Sequence, residues 1–120
     1  MREILSITKA LSDESRLRAL IAVKDGELCL CQIIQVLSLS PATVSKHMNT
    51  LEQAGLVERT RRGKWRFYKL AENSSSRAVK QALAWVLDAL RSDPKLTDDA
   101  RRIRKVRRQD LEVLSACYRS

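Results

Sequence analysis

The stretch Ser38-Leu39-Ser40-Pro41 constrains the fold more than any other part of the chain. Ahead of it, Ile33, Ile34, Val36 and Leu37 read as a helix. Behind it, Pro41 suits a first helical position with Ser40 as N-cap, and Gly55 closes the segment. Only a tight turn fits between the two, so the order is helix, short turn, helix, the pattern of a helix-turn-helix whose second helix enters the DNA major groove. At about 100° per residue, Val44, Met48 and Leu51 fall on one face of residues 41–54 as its core side. The opposite face presents Thr43, Lys46, Asn49 and Thr50, with Ser45 to one side, side chains able to reach base edges and phosphate oxygens. His47 lies at the edge of the core face, which suits a hydrogen-bonded structural or phosphate-contacting role better than metal ligation.

The period then changes. Leu56 to Thr60 and Trp65 to Leu70 flank Arg61-Arg62-Gly63-Lys64, which predicts a β-hairpin with a basic tip, a wing beside the second helix. Arg61, Arg62, Lys64 and Arg66 repel one another unless an anion is near, and the chain as a whole has a formal net charge of +9. A polyanionic partner follows, with double-stranded DNA first among the options. Candidate contacts are Ser40, Thr43, Ser45, Lys46, His47 and Asn49 on the helix, and Arg61, Arg62, Lys64 and Arg66 on the hairpin.

Around this module, helices are expected over residues 3–11, from Ser12 to near Gly26, and over 77–91, where Val79, Ala82, Leu83, Val86, Leu87 and Leu90 form a broad apolar stripe. That stripe and the first helix are expected to pack against their copies in a homodimer, which presents two recognition helices to a palindromic operator. The predicted class is mainly α with a β-hairpin wing, a dimeric winged helix-turn-helix. Residues 1–91 form the DNA-binding and dimerisation domain, and residues 92–120 a basic C-terminal helix or tail capped at Thr97-Asp98. That helix reads as solvated, its arginines paired with Asp98, Asp99 and Asp110.

No signal-peptide core or apolar run of membrane-spanning length appears, so a soluble cytoplasmic protein with no membrane partner is expected. An enzyme is not expected: no phosphate-cradling glycine loop, paired-carboxylate site or positioned Cys, His and acid triad is present. Three cysteines without a disulfide-framework spacing point to metal or redox chemistry in a reducing compartment.

Two of the three, Cys29 and Cys31, stand one residue apart just ahead of the helix-turn-helix. As small buried apolar residues they need no ligand. On an ideal helix they lie roughly 200° apart, so a ligand holding both sulfurs must distort the first turn of the helix that supports the reader. Tight thiolate binding of a soft ion would then drive release from DNA. DNA binding itself requires no cofactor. An oxidised Cys29–Cys31 pair is a strained alternative switch.

Taken together, Glu27-Leu28-Cys29-Leu30-Cys31, Leu11 to Leu17, Ser40 to Met48, Ala54 to Val57 and Arg62 to Trp65 resemble the ArsR/SmtB winged-helix repressors, specifically the arsenic-responsive branch, over about residues 4–91. The resemblance implies a homodimeric repressor that releases its operator when arsenite or antimonite, the trivalent inducers, binds the thiol pair. Members with three thiols carry a third cysteine at the position held here by Ile34. Cys117, or a two-thiol site for a methylated arsenical, is left to complete the set. Related cadmium and lead sensors add amino-terminal cysteines absent here, and the zinc site of other relatives needs histidines that residues 77–91 lack. Another soft metal ion remains the alternative inducer.

Overall fold

The computed structural model describes residues 1–116. The helix-turn-helix forms from α3 (Leu30–Leu37) and α4 (Pro41–Gln53), preceded by α1 (Arg2–Leu11) and α2 (Glu14–Ala22). Ser38 makes the turn with φ of 56°, a left-handed conformation unusual outside glycine. Ser40 caps α4 by accepting from Thr43 N–H at 3.2 Å. Asp13 caps α2 in the same way through Arg16 N–H, at 3.1 Å. That bond holds the Asp13 carboxyl below its ordinary pKa. Val44, Met48 and Leu51 are fully buried, as the helical periodicity requires.

Strands β2 (Val57–Arg62) and β3 (Trp65–Leu70) form the expected wing, closing with Arg62 opposite Trp65. Gly63, at φ of 60°, takes the first place of the two-residue loop, where a side chain would be strained. A third strand was not foreseen: β1 (Leu28–Cys29) pairs antiparallel with β3, Leu28 to Tyr68 and Cys29 to Phe67, giving the order β1-β3-β2. A two-residue strand has no period of its own, and only the distant β3 decides it.

Helix α5 (Arg77–Ala89) is capped by Ser76, which accepts from Val79 N–H at 3.1 Å and donates to Glu3 of α1 at 2.6 Å. Its stripe, assigned from sequence to a partner subunit, faces the chain's own core through Val79, Leu83 and Val86. What α1 and α5 leave exposed is a different apolar set, Ile4, Leu5 and Trp85. Among the described residues no helix is long and apolar enough to cross a membrane.

The C-terminal segment folds back onto the domain as α6 (Lys95–Arg107) and α7 (Leu111–Ala116). Helix α6 begins before Thr97, because Pro94 fits the turn ahead of it and the Asp93 carboxylate accepts from Lys95 N–H at 2.9 Å. Asp98 pairs within the helix with Arg101, and Asp110 accepts from Glu112 N–H at 2.7 Å. Asp99, read from sequence as solvated, is instead 4% exposed. Arg18 of α2 grips it with two bonds of 2.8 and 2.9 Å. A carboxylate is tolerated at such depth only when paired and hydrogen-bonded.

This pair supports a graded prediction. Arg18→Ala strands the buried Asp99 charge and should cost about 3–5 kcal/mol. Asp99→Ala leaves Arg18, whose side chain is 22% exposed, partly in reach of water, and should cost about 1.5–3 kcal/mol. Urea unfolding of the two variants gives the order. A smaller loss for Arg18→Ala would show that the pair does not anchor α6.

Candidate thiol site and nucleic-acid interface

Cys29 and Cys31 are 2% and 6% exposed and form a small cluster with Val36, Val106 and Leu114. Trp65, Phe67, Ile103 and Leu111 pack around it. The wall is therefore drawn from α3, the wing, α6 and α7. The two thiols do not lie on opposed helical faces. Cys29 is the N-cap residue, extended at φ of −73° and ψ of 152° because its backbone completes the sheet beside Phe67. Only Cys31 is within α3. The expectation of roughly 200° separation is corrected accordingly, since it presumed two helical residues.

The two thiols instead shift each other's protonation. Hydrogen bonding to the Cys31 thiol is the largest influence lowering Cys29 to about 6, and backbone amides of Cys31, Leu30 and Arg66 act in the same direction against burial. Cys31 shifts upward, because its proton is held by Cys29, because it is buried, and because a second negative charge beside the first is repelled. The pair thus favours one thiolate beside one thiol over two thiols that titrate alike. Both thiols are free.

Thiolate absorbance of the folded protein should rise first with a midpoint of about 6, and Cys31→Ala should move that midpoint upward by removing the donor. The linked stability has two signs. Cys29, depressed on folding, contributes stability that is present above the ordinary thiol range and lost as pH falls through about 6. Cys31, raised on folding, contributes stability that is present below its unfolded pKa and lost as pH climbs toward its folded one. A single absorbance step in the ordinary thiol range would contradict the arrangement.

Gln32, missed from sequence, stabilises this turn. Its Oε1 accepts from Cys29 N–H at 2.7 Å and its Nε2 donates to the Val106 carbonyl of α6 at 3.3 Å. The signal was present: a glutamine three residues after an N-cap is half of a capping box. Among the described residues no group of three or more histidine, cysteine or carboxylate side chains converges on a metal position. Cys117 lies outside the described residues.

On α4, Ser40, Thr43, Lys46 and Asn49 are exposed and Ser45 is half-buried. His47 is also half-buried, with Nδ1 at 3.3 Å from Arg16 Nη1. A guanidinium only donates, so Nδ1 is the acceptor in this bond. Arg16 also donates to the carbonyls of Ala10 and Lys9, at 2.9 and 3.0 Å, which ties His47 to the α1–α2 corner.

The wing cations are answered by the protein's own groups. Arg62 pairs with Glu27 and lies 3.8 Å over the Phe67 ring. Lys64 reaches Glu112 of α7 at 2.7 Å and lies 4.9 Å from the centre of Trp65. Arg61 is exposed and donates to the Gly63 carbonyl at 3.3 Å, while Arg66 is half-buried and faces Arg61 across the hairpin. The pairing of Glu27 and Glu112 with these cations was not read from the sequence, because neither lies near its cation along the chain.

Residues 13–59 match the family model described as "Bacterial regulatory protein, arsR family". The chain is 39% identical over 74 residues to the arsenic resistance transcriptional regulator ArsR1 of Pseudomonas putida, a match spanning 58% of each chain. It thus spans little more than half of that relative's length. It is 31% identical over 81 residues to the cadmium resistance transcriptional regulatory protein CadC homolog of Staphylococcus aureus, covering 67% of each. Among solved structures, the homodimeric winged helix-turn-helix DNA-binding domain (fragment 1-100) of Mb0332 from Mycobacterium bovis superposes with a TM-score of 0.63 at 25% identity, over 78% of this chain and 82% of that one. With a helix-turn-helix followed by a two-stranded wing, and with these relatives, the chain belongs to the arsR family of bacterial regulatory proteins.

Proposed function

We propose that this chain is a cytoplasmic, homodimeric repressor that binds operator DNA through α4 and the wing and releases it when trivalent arsenic or antimony binds Cys29 and Cys31. The observation that carries the reading is the buried pair of free thiols at the N-terminus of α3, the helix directly before the reader. Arsenite carries three hydroxyls. Two thiols displace two of them as two waters, leaving both sulfurs on one arsenic and one hydroxyl still bound. Soft thiolate donors suit such a centre. Cys117 is the candidate for a third sulfur: it follows α7, whose Leu114 packs against the pair.

The exposed Ile4, Leu5 and Trp85 support a subunit interface on the α1–α5 side. Similarity to the cadmium regulator favours a second reading in which a soft divalent ion takes the same two sulfurs. The test is operator binding by the purified protein, measured with arsenite, with antimonite, with cadmium and with none. Arsenite or antimonite should lower affinity about 5- to 150-fold, the usual span of allosteric coupling. Release by cadmium alone would favour the second reading. Affinity untouched by every thiophilic ligand would remove the sensor, and failure to bind any operator sequence would remove the repressor.

A further inference from the structure

We infer that α7 connects the thiol pair to the wing, with Glu112 as the positioning residue that holds Lys64, so that a ligand on Cys29 and Cys31 frees the wing tip as it displaces α7. The ligand half of this inference rests on the reading above; the mechanical half rests on contacts alone. Two faces of one short helix make the connection. Leu111 and Leu114 pack into the thiol cluster, and Glu112 reaches across to Lys64 at 2.7 Å.

The argument for displacement begins with space. Cys29, Cys31, Val36, Val106 and Leu114 are all 6% exposed or less. A shell this buried offers no side open to water, and a ligand that keeps a hydroxyl brings a polar group into apolar surroundings. One wall must yield. Helix α6 is the harder one to move: Asp99 is gripped by Arg18, Arg102 donates to the Val36 carbonyl at 3.2 Å, and Arg107 donates to the Glu27 and Gly26 carbonyls at 3.2 and 3.1 Å. Helix α7 packs on α3 and the thiol cluster through Leu111 and Leu114 and carries the exposed Lys64–Glu112 pair. A helix of a single turn or two has little stability apart from such packing. The weaker wall is α7.

When α7 leaves, Glu112 leaves with it. The wing tip then loses the contact that positions Lys64 and gains conformational freedom. The coupling is modest in size, because both partners of the ion pair are more than half exposed.

Hydrogen exchange of the full chain tests this in wild type, Glu112→Gln and Leu114→Ala, each with and without arsenite, with thiolate-to-arsenic absorption reporting occupancy. Without arsenite, Glu112→Gln should raise exchange in residues 60–66 by about two- to fivefold, the range open to an exposed ion pair, and leave residues 28–37 unchanged. Leu114→Ala should raise both 60–66 and 111–116. Arsenite should do the same in wild type, while in Glu112→Gln it should add a rise only in 111–116. Wing exchange equal in wild type and Glu112→Gln overturns the inference, as does wild type with arsenite bound and residues 60–66 unmoved. If no arsenic absorption develops, the arsenite reading fails, and the two ligand-free variants still decide whether α7 holds the wing.

Discussion

Cys29→Ser is expected to leave operator affinity within about twofold of wild type and to reduce the arsenite-induced drop, about 5- to 150-fold in the parent, to none. The reason is chemical. A serine hydroxyl does not ionise in the accessible range and is a hard donor, so one of the two sulfurs is lost as a ligand. The fold should tolerate the change, because Cys29 stands at an N-cap, where serine is among the preferred residues. Cys31→Ser should abolish the response as well, at a higher structural cost. Cys31 is inside α3 in an apolar cluster, and placing a more polar hydroxyl there costs about 1–3 kcal/mol. Fluorescence anisotropy with a labelled operator, titrated with and without arsenite, gives both quantities, and thermal melts separate the folding term. Full arsenite-induced release by a folded Cys29→Ser protein would eliminate the thiol pair as the inducer site.

Much of this site was legible along the chain, and the part that was not is long-range. Ser40 announces the start of α4 by a side-chain oxygen placed before apolar periodicity, and it caps that helix in the structure. The buried face of α4 follows from period alone. The disposition of the thiols does not, because Cys29 leaves the helix to pair with Phe67, and that pairing depends on a strand far along the chain. An angle drawn on an ideal helix therefore gave the wrong relation between two neighbouring residues. A basic C-terminal helix was readable, but where it packs was set by Arg18 on α2, whose partner Asp99 is 81 residues away. Charge composition misled for the same reason: it counts arginines without saying that Arg18, Arg102 and Arg107 are tied to particular acceptors.

Asn49→Ala is expected to weaken operator binding by about 5- to 150-fold, the cost of losing a bidentate base contact of about 1–3 kcal/mol, and to relax preference at one base position. Asn49 is exposed on α4 opposite Val44, Met48 and Leu51, so alanine removes the amide without disturbing the core and raises helix propensity slightly. Lys46→Ala should behave differently. A lysine that meets phosphate contributes equally on every sequence, so affinity should fall uniformly and the slope of log affinity against log salt should become shallower by about 0.9. Arg61→Ala belongs with Lys46, since its only side-chain bond among those described is to the Gly63 carbonyl. Arg62→Ala mixes two effects, because the guanidinium is already committed to Glu27 and to the Phe67 ring that walls the thiols. Comparing the variants on matched and single-mismatch operators across a salt series separates base reading from phosphate holding. An Asn49→Ala protein that is folded, binds at wild-type affinity and keeps full discrimination would show that α4 does not read the groove through this face.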